Sequence, residues 1–227
     1  MLKSDIRKLI KEKRTGLSPF EITRISSQVQ ALVMDSFSFK GKYVSLYLPI
    51  EKQREINTYG LLEEITLQGG QVVLSKSNFA DHTLSLFLYE GSNQLELSSF
   101  GIPEPKLGRI IPEEKLDLVF VPLLALNQNG HRVGYGKGFY DRLLSKCKKD
   151  CLFIGLNLFD EFIEISDLHQ NDIPLHICFT PTSCFRLVWP TDLTNHNHCI
   201  SIWIVIECFH HINVLKTVDW VTTNTNC

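Results

Sequence analysis

Between Gly130 and Leu144 the chain reads Gly-His-Arg-Val-Gly-Tyr-Gly-Lys-Gly-Phe-Tyr-Asp-Arg-Leu-Leu, four glycines and two cations within nine residues followed by an abrupt amphipathic turn. Ahead of it runs the mostly apolar Leu116–Val121, which ends in Pro122 and reads as a buried strand feeding a loop. Strand, glycine loop and helix in that order constrain the fold more than any other stretch. Gly134, Gly136 and Gly138 allow positive φ angles and bring backbone N–H groups close to an anion. A helix starting near Gly138 and running to about Cys147 would aim its positive end at the same point, and Arg132 and Lys137 add full charges.

The rest of the chain supplies the alternation that such a unit needs. Leu2, Ile6, Leu9 and Ile10 recur with helical spacing, while Lys3, Arg7, Lys11 and Arg14 form a basic stripe on another face. Ser18-Pro19-Phe20-Glu21 has the form of a capping box with proline at the first helical position, which predicts a helix from about Pro19 to Phe37. A strand is expected at Tyr43–Leu48, a helix capped by Thr58 and stopped by Gly69-Gly70, and strands at Gln71–Ser75 and Leu84–Tyr89. Further strands are expected at Cys151–Leu158 and about Ile177–Thr180. The pattern favours an α/β/α layered domain with a largely parallel mixed sheet.

At 227 residues and a formal net charge of −2, the chain is long enough for one sizeable core, and the balance argues against a protein that coats nucleic acid or anionic lipid. The charged start, Met-Leu-Lys-Ser-Asp, does not read as a signal peptide, and the longest apolar runs fall short of a bilayer crossing. A cytoplasmic address is expected, with no nucleic-acid or membrane partner and a monomeric state. Seven cysteines at irregular spacing read as reduced thiols. Residues 1–187 are expected to form the domain, and residues 188–227 an atypical tail that departs from the α/β pattern. The tail gathers His196, His198, Cys199, Cys208, His210 and His211, all zinc-ligand types, but their spacing matches no familiar finger or ribbon. It is expected to be disordered or foreign to the natural chain, and it is assigned no function.

Two better-known loops do not fit. A Walker loop needs Ser or Thr after its lysine, and Lys137 is followed by Gly138. A dinucleotide fingerprint needs Gly-x-Gly-x-x-Gly directly after a strand, whereas this loop has Gly-x-Gly-x-Gly well past the strand's expected end. Glycine spacing alone fits a plain tight turn as well as a phosphate cradle.

The whole segment from Val121 to Leu144 resembles the signature of the 5-formyltetrahydrofolate cyclo-ligase (5,10-methenyltetrahydrofolate synthetase) family. It keeps Pro122, Ala125, Arg132, all four loop glycines and Tyr140-Asp141. Lys3 and Arg7 resemble the family's N-terminal Lys-x-x-x-Arg, and Glu55-Ile56-Asn57-Thr58 its Glu-x-x-Thr. Phe100–Pro105 resembles the segment ahead of the loop strand, and Asn171-Asp172-Ile173-Pro174 the aspartate segment that closes the site. The resemblance spans about Leu2–Leu187.

That resemblance implies a fold like the ribose-phosphate isomerase/CoA-transferase-like superfamily. It also implies ATP-driven closure of 5-formyltetrahydrofolate to 5,10-methenyltetrahydrofolate. ATP would be held by Lys3, Arg7, Arg132, Val133, Gly134, Tyr135, Gly136, Lys137, Gly138, Phe139 and Tyr140, with Arg132 and Lys137 also acting in catalysis. The folate would meet Leu48, Glu55, Tyr135 and Phe139, and Mg2+ would be held by Asp141 and Asp172. Phe139 replaces a common tyrosine and Val133 a leucine. Asn127 replaces a common aspartate near the start of the loop. His176 stands where aspartate is common, which would make any charge there pH-dependent. A folate-binding protein that has lost turnover, or a kinase of another small molecule using the same loop, are the alternative readings.

Overall fold

A computed structural model describes residues 1–98 and 101–187. Ser99, Phe100 and the tail with its histidines and cysteines lie outside the described residues. In chain order the elements are α1 (Lys3–Thr15), α2 (Pro19–Ser36), β1 (Tyr43–Leu46), α3 (Tyr59–Leu67), β2 (Gln71–Asn78), β3 (Thr83–Leu88), β4 (Leu95–Leu97) and β5 (Pro103–Pro105). They continue with β6 (Leu118–Pro122), β7 (Ala125–Leu126), β8 (Arg132–Val133), α4 (Phe139–Leu144), β9 (Leu152–Leu156), β10 (Ile177–Phe179) and β11 (Cys184–Arg186).

Seven strands form one sheet in the order β11-β10-β9-β6-β1-β2-β3. The inner strands β10, β9, β6, β1 and β2 are mutually parallel, and β11 and β3 close the two edges antiparallel. Strand alternation sorts the core into two layers. Val44, Leu46, Val72, Leu74, Leu118 and Phe120 pack on one face with Ile25, Val29 and Val33 of α2 and Leu61 and Ile65 of α3. Val73, Val119, Val121 and Phe153 pack on the other face with Leu143 and Leu144 of α4. Among the described residues, no helix is long and apolar enough to cross a membrane.

α2 begins as its sequence predicts. Ser18 Oγ accepts from the Glu21 amide at 3.2 Å, and Glu21 accepts from the Ser18 amide at 2.7 Å, with Pro19 opening the first turn. The expected cap on α3 differs. Thr58 is fully buried and its hydroxyl donates to the Tyr47 carbonyl at 2.5 Å, fastening the start of α3 to the exit of β1. α3 ends where Gly69 takes φ +80° and the Gly70 amide returns to the Ile65 carbonyl.

α1 corrects the sequence reading in one respect. Ile6 and Ile10 are buried against Leu124, Ala125 and Val133, but Leu2 and Leu9 are exposed, while Lys3 and Arg14 of the basic stripe are 7% and 3% exposed. Two small pairings were also absent from that reading. β4 pairs with β5, and β7 with β8, both antiparallel, so the segment after β6 is a hairpin that packs on α1 rather than a free loop. β1 ends at Leu46, two residues before the expected end, because its register with β2 stops at Leu46 and Leu74. Tyr47 and Leu48 leave the sheet there and turn to a cleft.

Candidate active site

The cleft, of about 500 Å3, opens beyond the carboxyl ends of β1, β2 and β6, where Tyr47, Leu48, Ser75, Ser77 and Pro122 line it. Open α/β sheets place ligands at that edge, because successive crossovers leave a crevice there. Lys3 and Arg7 reach it from α1, Glu55 from the turn after β1, and the glycine loop and start of α4 form one wall. Of the residues expected to hold ATP, folate or metal, Val133 alone does not line it. Its side chain is fully buried with Ile6 and Ile10, and its carbonyl accepts from the Leu124 amide at 2.8 Å.

Three of the four loop glycines, Gly130, Gly136 and Gly138, take a positive φ that favours glycine. Gly136 has φ +87°, and a Cβ there would lie 3.1 Å from the Arg7 guanidinium carbon; Gly138 has φ +70°. Gly134 differs from expectation, since it has no positive φ and a Cβ would meet nothing within 4 Å. Its carbonyl accepts from Arg7 Nε at 2.8 Å. α4 is also shorter than expected, six residues beginning at Phe139, so the anion-holding character of this wall rests more on side-chain cations than on a helix end.

Those cations are arranged with carboxylates. Lys3 Nζ pairs with Asp172 Oδ2, which also accepts from the His169 amide at 2.7 Å. The Lys3 amide donates to Asp167 at 2.7 Å. Arg132 donates to Asp141 Oδ1 at 2.8 Å and to the Ile173 carbonyl at 2.6 Å, and the Ile173 amide returns to Asp141 Oδ1 at 3.2 Å. Burial alone would raise the Asp172 carboxyl, but the His169 amide and the Lys3 ammonium outweigh it and hold the group below the usual carboxylate range. Lys137 is exposed on the loop, and its carbonyl accepts from Arg142 at 3.1 Å.

Asp141 and Asp172 are thus tied together through Ile173, each with one oxygen engaged. No cluster of three or more His, Cys, Asp or Glu able to hold a metal is present among the described residues. Two hard oxygen donors without a protein cage suit Mg2+, which takes most of its octahedral shell from phosphates and water.

The other end of the cleft is apolar with one buried acid. Leu48, Ile50, Leu84, Ile102 and Phe79 contribute to the wall, and Phe139 stands edge-on to Phe79 at 5.4 Å between ring centres. Glu55, 6% exposed, accepts from the Tyr135 hydroxyl at 2.5 Å on Oε1 and from the Ile50 amide at 2.7 Å on Oε2. Burial pushes its carboxyl up, and the Ile50 amide, the Tyr135 hydroxyl and the Arg14 guanidinium pull it back. Burial first, and then the charge of Glu55, push the Tyr135 phenol far above its ordinary value, so it remains a donor. Tyr140 is likewise raised, by burial, and its hydroxyl bonds to Ser75.

Glu104, within the Phe100–Pro105 match, is buried and accepts from the Ser77 amide at 2.8 Å. Asp167 and His169, which approach from the segment that carries Asp172, had no recognisable sequence signal. An isolated polar residue in a loop has no periodicity to mark it. Asn127 and His176, by contrast, stand outside the cleft. Asn127 Oδ1 accepts from the Asn129 and His131 amides at 3.0 and 2.9 Å, shaping the hairpin turn. His176 corrects the expectation of a pH-dependent charge near neutrality. Burial lowers its pKa to about 4, its Nδ1 accepts from the Phe153 amide at 3.0 Å, and its ring stacks on Phe153.

An open, largely parallel α/β sheet with a cation-lined glycine loop at its strand ends is an arrangement suited to an anionic ligand beyond the sheet's carboxyl edge. The chain belongs to the 5-formyltetrahydrofolate cyclo-ligase family, whose sequence pattern matches residues 1–181. It is 29% identical over 178 residues to a 5-formyltetrahydrofolate cyclo-ligase of Haemophilus influenzae, covering 76% of this chain and 94% of that one. It is 27% identical over 183 residues to that of Escherichia coli K12, covering 78% and 100%. The NMR structure of Aquifex aeolicus 5,10-methenyltetrahydrofolate synthetase superposes with a TM-score of 0.70 at 32% identity, over 87% of this chain and 99% of that one.

Proposed function

We propose that the protein is an ATP-dependent 5-formyltetrahydrofolate cyclo-ligase that forms 5,10-methenyltetrahydrofolate, ADP and phosphate. The observation that carries this reading is the pairing, in one cleft, of a cation-lined end with a buried two-acceptor carboxylate at an apolar end. The first end suits a polyphosphate and the second a ring edge with adjacent N–H groups.

A formyl oxygen is a poor leaving group. Phosphoryl transfer from ATP to that oxygen gives an iminium phosphate and ADP; the neighbouring amine nitrogen attacks the formyl carbon, loses its proton, and phosphate departs with the C–O bond pair. Arg132, Lys137, Lys3, Arg7 and the loop amides hold and orient the phosphates, each charge-assisted bond contributing about 1.5–3 kcal/mol. Glu55 accepts from the ring edge, while Leu48, Tyr135 and Phe139 bound its faces. Asp141 and Asp172 would hold Mg2+, which would further neutralise phosphate charge. Asn127 and His176, the two departures that favoured a folate-binding protein without turnover, bond to backbone outside the cleft, which removes the argument for that alternative.

In this reading residues 1–187 form the catalytic domain, of the ribose-phosphate isomerase/CoA-transferase-like superfamily, with 188–227 an appendage, and the enzyme acts as a cytoplasmic monomer. The test is to mix protein, Mg2+, ATP and 5-formyltetrahydrofolate and follow the methenyl product's ultraviolet absorbance. Product and ADP should appear together, and Lys137→Ala should cut kcat/KM for ATP by about 10- to 100-fold. No product at saturating substrates would sink the proposal, and a stable phosphorylated product would make the protein a kinase instead.

A further inference from the structure

Behind the ring end of the cleft sits a cation that the mechanism above does not use. Arg14, in the last turn of α1, is 3% exposed and does not line the cleft. Its Nη2 donates to the Leu123 carbonyl at 2.6 Å, and its Nη1 to the Gln53 carbonyl at 3.3 Å and to the Tyr135 hydroxyl at 3.4 Å. Its Nε has no partner among the described residues. Burying a guanidinium with one N–H unpaired is costly where a methionine would fill the same space, so the charge itself calls for a role.

The hydrogen-bond directions supply one. Arginine has no acceptor and does not lose its proton, so the Tyr135 oxygen must accept from it. The phenol has one hydrogen, and it goes to Glu55 Oε1 at 2.5 Å. Glu55 is therefore met as an acceptor on Oε1 by Tyr135 and on Oε2 by the Ile50 amide, and each oxygen keeps a lone pair for the cleft. Of the groups that face Glu55, Tyr47, Tyr135 and Tyr140 are phenols held neutral by burial, and Arg14 is the cation.

We infer that Arg14 is a positioning residue for ring recognition: acting through Tyr135 and its own charge, it holds Glu55 as a two-acceptor edge that selects a ligand with two adjacent N–H donors. The inference rests on the folate reading above. It differs from a simple clasp between α1 and Leu123 in what proton concentration does. Without Arg14, burial acts on Glu55 unopposed by a cation, so the carboxylate takes up a proton at higher pH and turns one acceptor into a donor facing the ligand's N–H groups.

The experiment is equilibrium binding of 5-formyltetrahydrofolate and, separately, of ATP, to the full chain and to Arg14→Met, between about pH 5 and pH 8. The parent's folate binding should weaken only as pH falls to where Glu55, whose carboxyl burial holds above its ordinary value, takes up a proton. Arg14→Met should bind folate at least about tenfold more weakly at neutral pH, with the decline beginning at higher pH and ATP affinity unchanged. A variant whose folate curve keeps the parent's pH dependence, or whose ATP affinity falls in parallel, would overturn the inference. If Arg14→Met does not fold, Tyr135→Phe tests the same relay while leaving Arg14 its bonds to Leu123 and Gln53, and the pH dependence must shift the same way. A parent protein that binds no 5-formyltetrahydrofolate at any pH would instead refute the folate reading.

Discussion

His176 illustrates how one side chain's surroundings decide its chemistry. It stacks on Phe153 at 4.6 Å between ring centres and accepts the Phe153 amide, an arrangement that only the neutral imidazole can make. Its folded-state pKa, lowered by burial to about 4, lies below the unfolded value of about 6.5. Between those values the unfolded chain binds more protons than the folded one. The stability it contributes is therefore complete above about pH 6.5 and is lost as pH falls towards 4, by about 3 kcal/mol at most. His176→Asn, which offers an acceptor in place of Nδ1 but does not titrate, should lose less stability over that interval. Urea unfolding of both proteins at the two ends of the interval checks it, and equal losses would remove His176 as the source.

At the level of elements, the hairpin formed by β7 and β8 links the glycine loop to the segment that carries Asp172. Gly130 is the contact point. It has φ +83°, its carbonyl accepts the Leu175 amide at 2.8 Å, and a Cβ there would stand 2.6 Å from the Leu175 carbonyl oxygen. Gly130→Ala should therefore both strain the turn and push that segment away, costing about 1–3 kcal/mol in denaturant unfolding and weakening metal-dependent activity beyond what the lost stability explains. Unaltered activity in a variant that is merely less stable would mean the segment tolerates the shift. The hairpin itself was not legible in sequence, because two-residue strands have no periodicity and are defined by partners far along the chain. α2 and β6 were legible for the opposite reason. A capping box and an apolar run ending in proline are local signals. The site divided the same way: the glycine loop and its flanking cations could be read from spacing and signature, whereas Arg14 read only as one residue of the basic stripe of α1, since it is the docking of α1 on Leu123 that buries it.

Across the whole molecule, the charges of the cleft are neutralised in pairs that the proposed reaction would have to separate. Lys3 at the start of α1 meets Asp172, 169 residues later, and Arg132 meets Asp141; each pair joins a cation assigned to phosphate with a carboxylate assigned to Mg2+. A divalent ion arriving alone must compete with the Lys3 ammonium and the Arg132 guanidinium for the carboxylates. A polyphosphate arriving alone must draw the same cations away from their partners. In the proposed reading the two together would satisfy both sets, so positive coupling is expected, each strengthening the other by the same factor. Titration calorimetry should show no saturable Mg2+ binding by the protein alone at about millimolar concentration, and Mg2+ should tighten binding of a non-hydrolysable ATP analogue by about 5- to 150-fold. Asp172→Asn removes at once the charge that holds Lys3 and the carboxylate proposed to hold the metal. Its metal-free affinity for the analogue should equal or exceed that of the parent, while the Mg2+ enhancement shrinks. An enhancement left intact in Asp172→Asn would show that the coupling does not pass through the Lys3–Asp172 pair, and that the end of the chain is fastened to the site for stability alone.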